Sequence, residues 1–473
     1  MKYYGRTQIF TDETEITSAN VISVLQKSMQ KHYKNRGEIE YLYKYYKGYQ
    51  PILARTKEVR PEICNKIVEN WANEIVSFKV GYLCGSPIQY VSGNSKDDVS
   101  EKIDLLNKYM ESRCKATKDK DLIEWQMIAG TSYMLGIPAD DGEAPFDIYS
   151  LDPRNTFVVY RNDYARQPIM AVTYTTRWEN NVTIKDYTVY TEKETFIVKQ
   201  DKLVKTEPHI LGMLPIIEYP ANNARLGAFE IVLDLLNAIN DIDSNRLDGI
   251  EQFIQSLMVV YNATLEDETG NSIREKGLIE LKSVGDNKAD IKLITQELNQ
   301  DQTQTLKKDI MQRVREIVGL PSQGDGSTGD SSNNGAMLLK GGWENAETRA
   351  KESELMYRQS DRKFLKLILG ICAGYKEESG GFVLDYKDVD VRFTRRNYEN
   401  LQVKAQVLTT MLHEDKIDPK LAFQSSGLFI DPEEAYRISM KYYEEVGRTE
   451  QLNNRIPNPQ QPEVQEEGDR QSS

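Results

Sequence analysis

Residues 230–261 read EIVLDLLNAINDIDSNRLDGIEQFIQSLMVVY. The ionisable side chains of this stretch are a single base, Arg246, and six acids: Glu230, Asp234, Asp241, Asp243, Asp248 and Glu251. Asp234, Asp241 and Asp248 recur every seven residues, so on an α-helix they drift by only about 20° per step and form one stripe. Apolar residues from Leu233 to Leu257, at steps of three, four and five, fill the flanks. The stretch therefore predicts one long helix, packed on its flanks and acidic along one edge.

The composition excludes several classes of protein. With 473 residues, 39% of them hydrophobic, the chain is long enough for two to four domains with real cores. A formal net charge of -13 argues against a conventional nucleic-acid binder, because tight binding to phosphates needs clustered Lys and Arg. DNA that passes the protein without binding tightly is still compatible with this charge.

The sequence also bears on where the chain is expected to work. Four cysteines without metal-type spacing, Cys64, Cys84, Cys114 and Cys372, fit a reduced protein made in the cytosol. The start MKYYGRTQIF lacks the apolar core of a secretion signal. No stretch approaches the roughly 20 apolar residues that a membrane-spanning helix needs. We therefore expect neither secretion nor membrane insertion.

Two periodicities divide the first half of the chain. Residues 13–136 have helical apolar periodicity, which predicts an α-helical opening region. Its tyrosine and lysine cluster between Tyr41 and Tyr49 is either an aromatic flank that packs against the following loop or a stacking surface for nucleic-acid bases. From Phe146 to Tyr219 the period changes to two, with a turn at Asn180–Asn181. This second pattern predicts a β-rich meander.

Short strands and two further helices are predicted after the acidic helix. Residues 262–297 contain strand-like pieces broken by glycine turns, too short for a domain of their own. A second helix is predicted from Thr303 to Val318, where Gly319 and Pro321 stop it. Residues 322–335, SQGDGSTGDSSNNG, contain no apolar anchor, so we expect a mobile loop. A third long helix is predicted from Ala336 to Tyr375.

The C-terminal part is predicted to add one strand and a helical module. Residues 388–394 alternate apolar and polar side chains, as in a strand that returns to the β region. Asp418–Pro419 and Asp431–Pro432 are good helix starts, because the acid caps the helix and proline takes its first position. Residues 451–473 are poor in large apolar groups and are predicted to be disordered. The fold class that these segments predict is α+β.

No pattern in the sequence predicts catalysis. Gly324–Gly329 matches the G-x-G-x-x-G of dinucleotide-binding proteins, but it follows a helix and not a strand. A P-loop is missing, so we do not expect ATP hydrolysis by this chain. Asp241 and Asp243 diverge by roughly 160° on a helix, so they cannot share a metal ion within one chain. We therefore predict that the protein is not an enzyme and holds neither a cofactor nor a metal.

Seven short segments, taken in order, carry a family resemblance. They are YYKGYQPIL (45–53), NKIVENW (65–71), VGYLCGSPI (80–88), LPIIEYPANN (214–223), FEIVLDLLNAIN (229–240), VRFTR (391–395) and DPEE (431–434). Each segment alone is a weak signal. In this order, and across nearly the whole chain, they resemble the portal proteins of tailed bacteriophages, specifically those of the long-tailed siphovirus branch.

This resemblance implies a phage portal fold with wing, stem, clip and crown, mainly helical, with a β-rich wing and a small β clip. The implied ranges are 1–228 for the wing, 229–261 and 301–318 for the two stem helices, 262–300 for the clip, 319–335 for the tunnel loop, 336–396 for the wing helix and returning strand, 397–450 for the crown and 451–473 for the disordered tail. Twelve such subunits would form a ring at one capsid vertex of the virion, after assembly in the host cytoplasm.

The implied function is a channel for packaging the viral genome into the procapsid, retaining it and ejecting it. The implied partners are further copies of the chain in a dodecamer, double-stranded DNA passing through, the terminase large subunit that acts as packaging ATPase, a head–tail adaptor protein, and the major capsid and scaffolding proteins. No membrane partner is expected.

Two sets of residues are candidates for contact with the DNA path. The candidate tunnel-lining acids are Glu230, Asp234, Asp241, Asp248 and Glu251. The candidate tunnel-loop residues are Gln323, Gly324, Asp325, Gly326, Ser327, Thr328, Gly329, Asn333, Asn334 and Gly335. A closed ring repeats every carboxylate once per subunit, and an acidic wall does not hold a polyanion.

Two other classes of function compete with the portal. A nucleotide- or metal-dependent enzyme would use the glycine-rich segment and the scattered carboxylates, and assays for ATPase and nuclease activity would reveal it. A helical scaffold or cytoskeletal adaptor would form filaments or small oligomers in place of a closed ring.

Overall fold

The structure is a computed structural model that mixes helices and strands, in agreement with the predicted α+β class. It describes residues 5–58, 60–92, 97–179, 182–254, 257–261, 263–264, 282–283, 290–294, 300–321, 343–377, 380–394, 401–414, 416–429 and 432–453. Among these residues, no helix is both long enough and apolar enough to cross a lipid bilayer.

The N-terminal region is mainly helical, as predicted, but strands interrupt it. The helices are α1 (Val21–Tyr46), α2 (Trp71–Cys84), α3 (Asp97–Ser112) and α4 (Lys115–Ala129), with a 3-10 turn at Pro51–Ala54. The strands are β1 (Ile9–Thr11), β2 (Gln89–Ser92) and β3 (Thr131–Pro138). The prediction of helix from residue 13 to residue 136 is therefore wrong for β2 and β3. The short apolar run of β3 is compatible with either structure and becomes a strand because it pairs with two neighbours.

Gly130 separates α4 from β3 and has a conformation that favours glycine. Its φ is +77°, and its backbone N–H donates to the carbonyl of Gln126 at 2.9 Å, which caps the helix. A Cβ at this position would lie 2.1 Å from the carbonyl oxygen of Arg225. Glycine therefore meets two demands here, the left-handed backbone and the close approach of a neighbouring segment.

The predicted β-rich meander between residues 146 and 219 is confirmed and forms parts of two sheets. Its strands are β4 (Phe146–Leu151), β5 (Thr156–Arg161), β6 (Pro168–Glu179), β7 (Val182–Tyr190), β8 (Glu194–Lys199), β9 (Lys202–Pro208) and β10 (Ile216–Pro220). The larger sheet has the order β1-β5-β6-β7-β8-β9 and is antiparallel except where β1 joins β5. The smaller sheet has the order β10-β3-β4. The predicted turn at Asn180–Asn181 lies outside the described residues.

The main core lies between α1 and the six-stranded sheet. Apolar side chains of the helix, including Val21, Leu25 and Met29, pack on the inward side chains of the strands, such as Phe157 and Val172. Alternate residues of each strand face this layer, because strand side chains point to opposite faces with a period of two. The opposite face of the sheet is also buried in part, because a second core cluster joins it to the smaller sheet.

The acidic stretch forms a shorter helix than predicted. A 3-10 turn at Glu230–Val232 leads into α5 (Leu233–Ile254), and β11 (Leu257–Tyr261) follows. The prediction of one helix through residue 261 is wrong because Leu257–Tyr261 pairs antiparallel with β14 (Asp290–Ile294). A second small pair joins β12 (Ala263–Thr264) to β13 (Lys282–Ser283), which confirms short strands in the excursion.

Two further long helices were predicted correctly. The second helix is confirmed as α6 (Gln300–Val318), which packs against α5. The third is confirmed as α7 (Trp343–Gly374), which packs on β3 and β10 and buries Phe364, Leu365 and Ile368. The part of the third helix predicted before Trp343 lies outside the described residues.

A second compact unit consists of the described residues within 90–103, 387–392 and 397–453. Its helices are α8 (Leu401–Leu412), α9 (Pro419–Ser426) and α10 (Pro432–Asn453). The predicted helix starts at Pro419 and Pro432 are confirmed, and Asp418 caps α9 by accepting the N–H of Lys420 at 2.8 Å. Asp431 and residues 454–473 of the predicted tail lie outside the described residues.

The predicted strand near residue 390 is confirmed, but the strand with which it pairs differs from the prediction. This strand, β15 (Val389–Arg392), pairs with β2 in a two-stranded sheet and not with the strands of the meander. The apolar alternation of Val389 and Val391 predicts a strand with one buried face, but it carries no information about which strand becomes the neighbour.

Candidate functional site

The acids of the predicted tunnel stripe fall into two groups. Asp234 and Asp241 are exposed, and Glu251 is half-buried near the end of α5. Glu230 and Asp248 are buried, at 6% and 2% exposure. The heptad spacing predicts one shared face for Asp234, Asp241 and Asp248, but only the first two of these carboxylates lie on the surface of the subunit.

Glu230 is bound inside the chain. Nη2 of Arg6 donates to its Oε1 at 2.5 Å, and the backbone N–H of Gly227 donates to its Oε2 at 2.9 Å. Arg6 also forms an ion pair with Glu38, at 3.2 Å. A carboxylate enclosed in this way is not available to a channel surface, so its predicted tunnel-lining role is corrected.

Asp248 is also held by internal partners. Its Oδ2 forms ion pairs with Lys57 at 2.5 Å and Arg55 at 3.1 Å. Its Oδ1 accepts the backbone N–H of Asn65 at 2.7 Å and the side-chain amide of the same residue at 2.9 Å. Burial raises the pKa of Asp248, but the hydrogen bonds from Lys57 and Asn65 outweigh it and hold the pKa below its usual range. Its predicted tunnel-lining role is therefore corrected as well.

Asp248 belongs to a row of polar side chains along one face of α5. Asn240, Ser244 and Asp248, at steps of four residues, accept backbone N–H groups from every second residue of the segment before α2. The donors are Glu69, Ile67 and Asn65, at 2.8, 3.0 and 2.7 Å respectively. Four residues of a helix rise about 6 Å, and two residues of an extended chain span about 6.6 Å, so the two spacings match. We call this row the α5 ladder.

α5 is joined to α6 through a basic residue. Nζ of Lys307 lies 2.8 Å from Oδ2 of Asp243 on α5 and 2.8 Å from Oε2 of Glu69 in the segment before α2. Burial lowers the pKa of Lys307, but its hydrogen bonds to the two carboxylates outweigh this effect and hold the pKa above its usual range. Arg246 of α5 donates to Gln304 of α6 at 2.6 Å. These contacts balance the charge of Asp243 within the subunit.

The outward surfaces of the two helices differ in charge. On α5, the exposed ionisable side chains between residues 233 and 251 are Asp234 and Asp241, both acidic. On α6, the exposed set mixes both signs: Asp301, Lys308, Asp309, Arg313 and Glu316. The acidic surface of this helix pair therefore belongs to α5.

The tyrosine and lysine cluster of α1 packs within the chain, as the aromatic-packing alternative predicts, but its rings stack on partners other than the following loop. Tyr45 is fully buried, stacks on Phe229 with ring centres 5.9 Å apart, and donates its hydroxyl to Asn237 of α5 at 3.0 Å. Tyr43 stacks on Trp125 of α4, with centres 5.0 Å apart. The cluster thus contacts the beginning of α5.

The remaining predicted site residues belong to the tunnel loop. Every candidate tunnel-loop residue, from Gln323 to Gly335, lies outside the described residues, and so does the G-x-G-x-x-G match at Gly324–Gly329. Within the described part of the chain, no group of three or more His, Cys, Asp or Glu side chains is arranged to hold a metal ion.

Comparisons with known proteins identify the family. A family model described as "Phage portal protein, SPP1 Gp6-like" matches residues 25–450. The chain belongs to this family of phage portal proteins. The portal protein of Bacillus phage SPP1 is 22% identical over 400 residues, which cover 78% of this chain and 74% of that protein. The resemblance predicted from the sequence is confirmed, and family membership makes the chain a portal vertex protein of a phage capsid, from a structural family that forms rings.

Sequence reasoning about this portal protein missed the bases that neutralise the buried acids. Arg55, Lys57 and Lys307 lie far along the chain from their partners, and no local pattern relates them. One indirect signal existed, because segments 65–71 and 229–240 both carry the family resemblance. The structure joins these two segments directly, at the hydrogen bond from Glu69 to Asn240.

Proposed function

We propose that copies of this portal protein close into a dodecameric ring whose channel carries double-stranded viral DNA during packaging, retention and ejection. In this proposal α5 and α6 are the stem, the strands between residues 257 and 294 are the clip, the helices after residue 400 are the crown, and the remaining α and β elements are the wing. Family membership and the order of helix, short strands and helix between residues 233 and 318 support this assignment.

We further propose that Asp234 and Asp241 line the channel, with Glu251 further along the same helix. The observation that carries this proposal is their exposure on α5, where the neighbouring acids Asp243 and Asp248 are bound to bases of the same chain. A ring of n subunits turns each exposed acid into n equivalent carboxylates around the axis.

Acidic rings would keep the channel from holding DNA. Duplex DNA carries one negative charge per about 1.7 Å of its axis, so a wall of lysine and arginine would bind it tightly. Repulsion from carboxylates fades beyond a Debye length of about 8 Å at physiological salt. An acidic wall therefore prevents adhesion to DNA without closing the path.

The partners of this portal follow from the same proposal. The terminase large subunit supplies ATP hydrolysis and docks on the clip, which later receives the head–tail adaptor protein. The wing contacts the major capsid and scaffolding proteins, and the loop at residues 319–335 surrounds the DNA. The portal itself is a conduit and not an enzyme.

A packaging assay with matched variants tests the proposed channel wall. The double variant D234N/D241N should assemble into rings as the unmodified protein does, but should move DNA more slowly with the cognate packaging ATPase. The control is E192Q/D201N, which removes two exposed acids from the six-stranded sheet region. Packaging by D234N/D241N at the rate of the control would overturn the proposed role of these residues.

A further inference from the structure

Side chains from several helices and one turn line an open cavity of about 530 Å³. α2 supplies Lys79, α6 supplies Ile317, α7 supplies Arg349 and Leu355, and the 3-10 turn before α5 supplies Ile231. Every lining residue lies outside the second compact unit, so the cavity belongs to one folded part of the chain. Sites for small molecules commonly measure about 300 to 1,000 Å³. The cavity is therefore large enough for one small molecule.

The wall of this cavity contains apolar side chains that remain accessible. Ile231, Ile317 and Leu355 are 57%, 40% and 68% exposed, although they come from three separate elements. Single exposed apolar side chains are normal on a protein surface, but a group of them around one concavity is typical of a binding site. An apolar ligand would remove all three side chains from water.

Lys79 is a cation of the cavity wall that lacks an ion pair. Among the residues that the structure describes, no carboxylate pairs with its Nζ. Glu352 attracts the ammonium group but forms its own ion pair with Arg349, at 3.8 Å. Burial and the charge of Arg349 lower the pKa of Lys79 to about 8, which shows that its charged form is poorly solvated. An anion next to Nζ would supply the interaction that water supplies elsewhere.

The charge of the wall favours an anion with a single charge. Two bases, Lys79 and Arg349, and one acid, Glu352, line the cavity. The wall is thus positive by one unit, in a chain whose formal net charge is -13. One monoanion balances this charge. A nucleotide would bring two or more negative charges, which these side chains do not balance.

We propose that the cavity binds a small amphipathic anion, a molecule with an apolar body and one carboxylate or sulfonate group. The apolar body lies against Ile231, Ile317 and Leu355, and the anionic group pairs with Lys79. All of these residues belong to one chain, so the site does not require ring closure. This inference therefore goes beyond the proposed function and does not depend on it.

An aryl sulfonate tests both halves of the site. The probe is 1-anilinonaphthalene-8-sulfonate, titrated by fluorescence into the purified full-length chain at pH 7. K79M should weaken its binding by about tenfold or more, the effect of losing one hydrogen bond to a charged group. The matched control is K363M, because Lys363 is exposed on α7 and does not line the cavity. K363M should bind the probe as the unmodified chain does.

A second pair of variants tests the apolar half. L355Q removes an exposed apolar side chain of the cavity, and V383Q removes one elsewhere, since Val383 is 71% exposed and does not line the cavity. L355Q should weaken binding of the probe severalfold, and V383Q should leave it unchanged. Equal binding by L355Q and V383Q would contradict the assignment of the apolar body to this wall.

Proton uptake distinguishes a direct contact with Lys79 from a structural effect of its substitution. An anion that pairs with Lys79 raises its pKa, so binding at pH 8 should take up about half a proton per site. At pH 6 the ammonium group is already protonated and the uptake should be close to zero. Calorimetric titration of the probe in two buffers of different ionisation enthalpy measures the uptake. K79M should show none at either pH.

Two results would overturn the proposal. The first is binding by K79M that equals binding by K363M, with no proton uptake by the unmodified chain at pH 8. The second concerns the segment between α6 and α7, which contains Asp325 and Asp330. Tighter binding of the probe to D325N/D330N than to the unmodified chain would mean that the chain's own carboxylates occupy the cavity in place of a separate ligand.

Discussion

The backbone N–H of Asn65 donates a hydrogen bond to Oδ1 of Asp248, with 2.7 Å between the two atoms. These residues lie 183 positions apart in the chain, and their contact ends the α5 ladder. Asp248 and Asp241 are one heptad apart on the same helix, but they have different roles. Asp248 binds the segment before α2 to α5, whereas Asp241 is free to face another molecule.

Substitution of these two aspartates should separate the roles. D248N leaves Arg55 and Lys57 without their shared counter-charge, so we expect the free energy of unfolding of the dissociated subunit to fall by about 2 to 3 kcal/mol. D241N removes an exposed carboxylate and should change it by less than about 0.5 kcal/mol. Urea denaturation at neutral pH measures both values. Equal effects of the two variants would contradict the assignment of Asp248 to internal docking.

Acid should destabilise the subunit through His32. Nε2 of this buried histidine donates to the carbonyl of Arg154 at 3.1 Å, and its ring stacks on Phe157 with centres 4.4 Å apart. Burial lowers the pKa of His32 to about 4, from about 6.5 in the unfolded chain. Between these two pKa values the unfolded state binds a proton that the folded state does not bind. The free energy of unfolding therefore decreases as pH falls from about 6.5 to about 4.

The expected loss through His32 is about 3 kcal/mol over this range. H32F carries no titrating group at this position, so its free energy of unfolding should depend less on pH over the same interval. The measurement is the difference in free energy of unfolding between the unmodified chain and H32F at half-unit steps of pH. A constant difference from pH 7 to pH 4 would show that His32 does not cause the acid sensitivity.

Lys79 should give a pH dependence on the alkaline side. It lines an open cavity of about 530 Å³ together with Arg349 and Ile231. Burial, with a smaller contribution from the positive charge of Arg349, lowers the pKa of Lys79 to about 8. Between pH 8 and pH 10.5 the unfolded chain holds this proton and the folded chain does not, so stability should rise with pH through that interval.

The matched variant for Lys79 is K79M, which keeps the length of the side chain and removes its charge. At pH 7 we expect it to stabilise the dissociated subunit by on the order of 1 kcal/mol, because a poorly solvated charge is removed. This advantage should shrink as pH rises toward 10.5. A K79M protein that is less stable than the unmodified chain at pH 7 would contradict the account.

The elements that were predicted correctly are those whose packing follows from local pattern. Residues 156–160 form a strand whose alternate side chains Phe157 and Val159 lie on α1, and the run from Thr303 to Val318 has clear stop residues. The end of α5 was not predictable in this way. Val259 and Val260 continue the apolar character of the helix, and only pairing with β14 makes this segment a strand.

The candidate site shows the same division between local and distant information. Heptad spacing correctly relates Asp234 to Asp241, but it assigns Asp248 to the same exposed edge. The two bases that pair with Asp248 and the backbone of Asn65 come from the region before α2, about 180 residues earlier in the chain. Glu230 is similar, because its partner Arg6 lies 224 positions away. Burial of an acid by a distant base leaves no trace in local periodicity.

Electron microscopy of the purified chain tests most directly the claim that its copies close around a channel faced by the exposed acids of α5. The account predicts closed rings with a central hole that admits duplex DNA, and a map in which Asp234 and Asp241 face that hole. Monomers or open fibres alone, or a hole lined by lysine and arginine, would contradict it.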